Sequence, residues 1–501
     1  MAQTELPEPS ARDGQLDPRR WRALLFIAIA QLMVVLDATI VNIALPSVQA
    51  DLGLSDGNRQ WVVTAYSLAF GGLLLLGGRI ADTWGRKRTF LTGLVGFAGA
   101  SALGGAAGSE AMLFAARALQ GVFGAMLAPA ALSLLAVTFM DPKERAKAFG
   151  VFGAIAGGGA AVGLTLGGLL TEYVDWRWVF YVNIPIAALA VFGAMAEIRD
   201  HGGRNRSPLD LPGAVLGTSG LVALVYGFSR AESHGWTDDW TLGMFASAVV
   251  LLASFVFTER RVSAPLLPLR VVLNRNRAGA YLAVGLGVIA MFGLFLFLTY
   301  YMQVVKDYSP IRTGVAFLPM VAGMLIGSTQ IGARLVTRVP ARALMGPGLL
   351  VAASGMLILT QLEVDSPYLQ ILPALVLLGI GMGSTFMPAV SVAVSEVDAR
   401  DTGIASAMMN TSQQVGGAIG IALLNTIAAT ATTAFVASNA GDVPQQALQL
   451  EGMVHGFTTA LWWAVGILVL AATLAVTLVR SGSRRSVRGS VGDEAAPAPT
   501  Q

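Results

Sequence analysis

The chain has no cysteine among its 501 residues and only three histidines, His201, His234 and His455, far apart from one another. Without thiols there is no disulfide framework, thiolate metal site or cysteine nucleophile, and no metal site is expected. Charge is scarce as well. Asp, Glu, Lys and Arg make up 13% of the chain, where a soluble domain carries roughly a quarter. Water is therefore not its main solvent. No Gly-x-x-x-x-Gly-Lys-Ser/Thr run occurs and no polar segment is long enough for a nucleotide domain, which excludes an ATP-driven pump. The several acids or histidines at one depth that a membrane enzyme needs are missing, so no enzyme is expected. So are the rings of repeated polar residues that a pore needs. No nucleic-acid partner is expected.

Hydrophobic residues make up 54% of the sequence. A helix needs about 20 consecutive apolar residues to cross a bilayer, at about 1.5 Å of rise each. Apolar runs bounded by charge, Gly or Pro predict helices over 23–46, 61–78, 89–108, 111–140, 146–170, 178–195, 211–228, 240–258, 278–304, 313–335, 343–362, 369–394, 403–430 and 454–479. The expected class is an all-α polytopic membrane protein of fourteen spans, its partner the lipid bilayer. Its 58 glycines suit close packing of membrane helices. The first run is too long, and lacks the small-residue pattern, for a cleaved signal peptide.

With the N-terminus placed in the cytoplasm, Arg59, Arg177, Arg230, Lys306 and Arg312 fall outside and Arg117 falls within a span, while all the other Lys and Arg lie inside. This bias supports the parity of the count and places both termini in the cytoplasm. Trp21, Trp61, Trp176, Trp178, Trp236 and Trp240 sit at predicted helix ends, where anchoring in the headgroup layer is their default role. The tail after Arg480 is basic, then rich in Pro and Ala, and is expected to be disordered.

Two echoes point to duplication. Gly78-Arg-Ile-Ala-Asp-Thr-Trp-Gly-Arg-Lys-Arg88 is faintly repeated in Ala333-Arg-Leu-Val-Thr-Arg-Val-Pro-Ala-Arg342. Leu119, Gly124, Pro129 and Ala130 match Leu378, Gly383, Pro388 and Ala389 at one constant offset. The expected organisation is a tail (1–22), a six-helix bundle (23–198), a linker with inserted helices 7 and 8 (199–277), a second six-helix bundle (278–479) and a basic tail (480–501). Facing duplicated bundles are a plan of secondary transporters, with the substrate site at the midplane.

Several motifs then stand out together. The segment from Gly78 to Arg88 resembles motif A of the major facilitator superfamily. Leu36-Asp37-Ala-Thr-Ile-Val-Asn42-Ile-Ala-Leu-Pro46 and Trp176-Arg-Trp-Val-Phe-Tyr-Val-Asn183-Ile-Pro185 resemble landmarks of its 14-helix drug:proton antiporter subfamily, the EmrB/QacA type. Arg117-Ala-Leu-Gln120-Gly121 is similar to motif B. In the fifth helix Gly153, Gly157, Gly159, Gly163, Gly167 and Gly168 resemble the antiporter motif C. Thr83 stands where motif A has a basic residue, and Ala160 and Leu164 stand where motif C has prolines. The resemblance implies a major facilitator fold and proton-coupled export of small hydrophobic, neutral or monocationic compounds from a bacterial cell, across its cytoplasmic membrane. No cofactor is implied beyond the proton gradient, and a monomer is expected. Import, or transport of one specific metabolite, is the competing reading.

Asp37 is the acid well inside a predicted span, about 12 Å below Pro46, and Arg117 is the base inside one, about 10 Å below the outer end of its helix. Ionisable residues at such depth mark proton or ligand sites by default. The resemblance places helices 1 and 4 on one cavity and implies that the two side chains face each other. It also makes Gly78, Arg79, Asp82, Gly85 and Arg86 a cytoplasmic gate, with Asp82 at the start of helix 3 or paired to a neighbouring helix. Gln31, Asn42, Tyr66 and Gln414 are polar groups within spans. They either line the cavity or bond neighbouring helices.

Overall fold

A computed structural model of the chain describes residues 19–139, 141–198, 210–262, 265–336, 338–395, 397, 402–439 and 444–480. The expected tails, apart from residues 19–22 and 480, lie outside these, as does the start of the linker. Among the described residues there is helix and connector and no strand. The long helices are α1 (Arg20–Leu52), α2 (Trp61–Trp84), α3 (Arg86–Gly105), α4 (Glu110–Thr138), α5 (Pro142–Tyr173), α6 (Trp178–Glu197), α7 (Leu211–His234), α8 (Asp239–Glu259), α9 (Arg275–Val305), α10 (Pro310–Leu335), α11 (Arg342–Leu359), α12 (Tyr368–Val394), α13 (Thr402–Ser438) and α14 (Gln445–Leu478).

Twelve of the described helices are long and apolar enough to cross a membrane. Helix α3 falls short of that mark, and its sequence explains it. Arg86, Lys87 and Arg88 fill its first turn, followed by Gly, Ala, Ser and Thr; α5, charged in its first turns and then glycine-rich, contains side chains outside the described residues. Small residues lower hydropathy while allowing backbones to approach. Large apolar side chains point away from the protein, as at Val249, 68% exposed, and Phe192, 70% exposed, which suits a lipid surround rather than water.

The two groups of six helices pack by the same rule. In the first, α2 and α3 pack on α4, α1 packs on α5 and α6, and α3 packs on α6. In the second, α10 and α11 pack on α12, α9 packs on α13 and α14, and α11 packs on α14. Between the groups, α2 meets α13 and α5 meets α10, again an exchanged pair. Helices α7 and α8 pack on each other, and α7 also lies against α2 and α13. Asp238 caps α8 by accepting from Thr241 N at 3.0 Å and pairs with Arg230 of α7 at 2.9 Å. These bonds hold its carboxyl below the usual range, the backbone bond first.

The starts of α1 and α9 and the end of α14 share one end of the molecule, here called the terminal end. The bundles are joined from the opposite, far end to about the middle. At the far end Gln303 Nε2 donates to Ile43 O at 2.9 Å, the Tyr300 hydroxyl donates to Gln49, and Ile311 N donates to Glu172 at 3.0 Å. Near the middle Thr411 Oγ1 donates to Gly71 O at 3.4 Å.

Tryptophan placement corrects part of the anchoring expectation. Trp178, Trp236 and Trp240 are exposed, but Trp176 is buried and donates to Asp51 at 3.1 Å, and Trp61 donates across to Ser229 of α7 at 3.1 Å. Their indole N–H groups join helices instead of reaching for headgroups.

Candidate functional site

Asp37 and Arg117 meet, 2.7 Å apart, in the middle of the first bundle, and both side chains are shut off from solvent. Helix α1 carries Asp37 into the interior. There its Oδ2 accepts from Arg117 Nη1, and its Oδ1 accepts from Gln120 Nε2 at 2.8 Å and Asn183 Nδ2 at 2.9 Å. Arg117 also donates to the Gln120 side-chain oxygen at 2.8 Å and, through Nε, to the Val62 carbonyl at 2.7 Å. Ser101 Oγ accepts from Gln120 at 2.7 Å and from Asn183 at 3.3 Å. The guanidinium lies 4.5 Å from the Tyr66 ring centre, a cation–π contact whose strength rises in a dry site. Residues of α1, α2, α3, α4 and α6 thus close one polar node. A buried charge is tolerated only when paired and hydrogen-bonded in this way.

The spacing of the helices explains the assembly. Arg117 and Gln120 are three residues apart and share a face of α4. Gly121 brings α4 onto α2: a Cβ there would sit 2.5 Å from the Tyr66 carbonyl oxygen. On the other side of α1, Gly159, Gly163 and Gly167 recur every fourth residue along α5 and face Val35, Thr39 and Ile40, so that a Cβ on Gly167 would lie 2.8 Å from Ile40 O. Gly168 turns instead toward α10, where a Cβ would lie 2.5 Å from Ile311 Cα. The glycine stripe therefore seats the helix that bears Asp37 and also one inter-bundle contact. Gly153 and Gly157 belong to α5, but their surroundings lie outside the described residues.

Other expected residues are placed differently. Asn42 donates to Ala38 O and Thr39 O of its own helix, at 3.0 and 3.4 Å; neither the cavity nor a neighbouring helix takes that amide. Gln31 is half-buried. Gln414 sits on the α2–α13 contact, its Cβ against Gly71. In motif A, Asp82 of the last turn of α2 pairs at 4.0 Å with Arg86, the first residue of α3, with half its side chain exposed. It does not cap α3, which starts after Gly85 (φ +109°) without a side-chain cap, but its weak pair with Arg86 does link the end of α2 to the start of α3. Arg79 reaches out and donates to Pro265 O at 2.8 Å, in the connector after α8, while Gly78 lies beside Pro129. Lys87 donates to the last carbonyls of α6, those of Met195 and Ile198.

Gln120 and Asn183 stand inside quoted motifs but were not expected at the site. The i, i+3 relation to Arg117 was the available signal for Gln120, and a buried amide opening a span was the signal for Asn183. Ser101 gave none, being one small hydroxyl in a Gly/Ala-rich helix. A second node went unforeseen at the far end. Arg59, only 4% exposed, pairs with Asp56 at 2.9 Å, donates to Asn425 of α13 at 3.2 Å and stacks 4.0 Å from the Tyr300 ring centre of α9. Asn425 in turn donates to Asp56 O at 3.0 Å.

Residues 27–421 match the family model described as Major Facilitator Superfamily, and the chain belongs to that family. It is a transporter, not an enzyme. It is 55% identical over 479 residues to the puromycin resistance protein pur8 of Streptomyces alboniger, covering 95% of this chain and 94% of that one. It is 40% identical over 427 residues to the cephamycin export protein CmcT of Amycolatopsis lactamdurans, covering 84% and 88%. In fold it resembles a bacterial homologue of the human lysosomal transporter Spinster, with a TM-score of 0.65 at 16% identity over 93% of this chain and 98% of that one.

Proposed function

We propose that this member of the major facilitator superfamily exports small hydrophobic, neutral or monocationic drugs or antibiotics in exchange for protons, by alternating access in the cytoplasmic membrane of a bacterial cell. The resistance and export named for the two relatives support the direction and the class of cargo. The Asp37 node is the observation that carries the coupling. Three side chains donate to one dry carboxylate, and a carboxylate only accepts, whereas a protonated carboxyl must also donate. Adding a proton therefore forces a rearrangement in which Arg117 loses its counter-charge and turns to Gln120 and Val62 O. A monovalent lipophilic cation neutralises the same single charge and competes with the proton. A dication leaves charge uncompensated and is a poor substrate.

In this reading the far-end ties belong to the conformation closed toward the outside, and rocking of one bundle against the other breaks them. The loop with Gly78, Arg79, Asp82, Gly85 and Arg86 closes the terminal, cytoplasmic end in the alternate state. Helices α3 and α5 cross the membrane with the other twelve, both termini are cytoplasmic, and the monomer works without a bound cofactor.

Purified protein in liposomes containing a pH-sensitive dye, challenged with neutral, monocationic and dicationic compounds, tests this. Neutral and monocationic cargo should drive proton movement, dications should do so weakly, and Asp37→Asn should abolish the movement while inserting normally. Undiminished coupling in Asp37→Asn, or dication exchange at full strength, would defeat the proposal.

A further inference from the structure

Helices α7 and α8 lie outside the duplicated bundles, yet their terminal-end tips bury two acids. Asp210 and Glu259 are each 3% exposed. Asp210 Oδ1 accepts from Gly213 N at 2.8 Å, capping α7, and Glu259 Oε2 accepts from Leu267 N at 2.9 Å, closing the connector that follows α8. No donor reaches the other oxygen of either acid. Those two oxygens converge over Gly213, where a Cβ would lie 2.6 Å from Asp210 Oδ2 and 2.8 Å from Glu259 Oε1. Two carboxylates have only lone pairs to offer, so these oxygens can bond to each other only when one of the pair carries a proton. Among the described residues, the charged group facing the pair from the neighbouring α2 is Arg79, which is already donating to Pro265 O of the same connector.

We propose that Asp210 and Glu259 form a second proton-binding site, separate from Asp37, whose shared proton clips the tip of α7 to the connector after α8 and so holds Pro265 against Arg79. Loss of the proton puts two anions at one buried point. Their repulsion parts the two carboxyls, frees the connector from Glu259 and withdraws the acceptor from Arg79. The inserted helix pair thereby makes the motif A loop sensitive to pH at the terminal end. This holds whether or not Asp37 couples export.

Infrared difference spectra of the purified full chain in nanodiscs, titrated with pH, test the site without any transport. A protonated-carboxyl stretch should persist at neutral pH, vanish in both Asp210→Asn and Glu259→Gln, and remain in Asp37→Asn. Its absence from the parent protein, its survival in both hairpin variants, or its loss in Asp37→Asn overturns the proposal. Because the chain has no cysteine, Leu266→Cys supplies a single label on the connector. Its labelling rate, corrected by free thiol at each pH, should rise several-fold as the carboxyl band disappears. It should stay low and flat when Glu259→Gln is combined with it. A rise that persists in the combined variant also overturns the proposal.

Discussion

Two buried arginines divide the work of this molecule differently. Arg117 is enclosed by one bundle: its partners Asp37, Gln120, Val62, Tyr66 and Phe180 all belong to α1, α2, α4 and α6. Arg59 draws Asp56 from its own loop but Asn425 and Tyr300 from the opposite bundle. In the proposed cycle, a charge caged within one rigid body responds to protonation or cargo. A charge shared by two bodies responds to their separation. Arg59 is also less completely satisfied, since its Nε and both side-chain polar atoms of Gln60 are buried without a partner. Unpaired buried groups cost free energy, which suits a contact that must open in each cycle. No nitrogen of Arg117 is orphaned, while Tyr66 Oη and Asn183 Oδ1 beside it are buried without a partner.

Removing the caged arginine should do the greatest damage. Arg117→Ala leaves the Asp37 charge dry and unpaired, a loss of about 3–5 kcal/mol, read as a large fall in thermal midpoint and yield. Adding Asp37→Asn to it should restore much of the stability but no proton coupling, since the pair acts as one unit. Arg117→Lys keeps a charge beside Asp37 yet cannot hold Val62 O and Gln120 with one planar fork, so it should insert stably and lose coupling. If Arg117→Lys couples normally, the cage is only structural.

The shared arginine is tested by separation instead of stability. Gln49→Cys with Tyr300→Cys should cross-link in this cysteine-free chain, stop transport, and release it on reduction. Arg59→Ala removes hydrogen bonds to a charged group, each worth about 1.5–3 kcal/mol, and should lower the cross-linking yield while the response to Asp37→Asn stays unchanged. A cross-link that leaves transport intact would mean the far end need not open. Gly167→Val should come next in size. It crowds Ile40 O and costs about 1–3 kcal/mol by overpacking. Because it displaces α1, it should weaken proton coupling along with stability, whereas Gly99→Ala, with nothing within 4 Å of a new Cβ, should do neither.

The difference between the arginines also marks what was legible in the sequence. Asp37 and Arg117 were readable because charge at mid-span depth is expensive wherever the bundle places it. Their node is assembled by helices whose periodicity is itself visible. Arg59 was not readable: it lies in a connector, where an arginine is ordinarily solvated, and only the packing of α9 and α13 over it makes it buried. Asp210 and Glu259 escaped for a related reason. Each stands at a helix end, where an acid is commonplace, and it is the antiparallel pairing of α7 with α8 that brings them together. Span positions were legible through hydropathy, α3 and α5 included, because glycine in them replaces bulk without adding charge. The two groups of helices pack in the same order, while the sequence carries only faint echoes of one in the other.

Asp82 is the contrasting case, a motif carboxylate that is neither caged nor shared. Its pair with Arg86, at 4.0 Å and half exposed, is the kind worth less than about 1 kcal/mol. Asp82→Asn should therefore leave the thermal midpoint of this conformation within experimental error. If the motif A loop closes the terminal end in the alternate state, the same variant should slow transport and raise the Gln49→Cys/Tyr300→Cys cross-linking yield, by weakening the state in which the far end is open. Full-rate transport with an unchanged yield would take Asp82 out of the gate and leave Arg79, through Pro265, as the residue by which that loop communicates with the rest of the molecule.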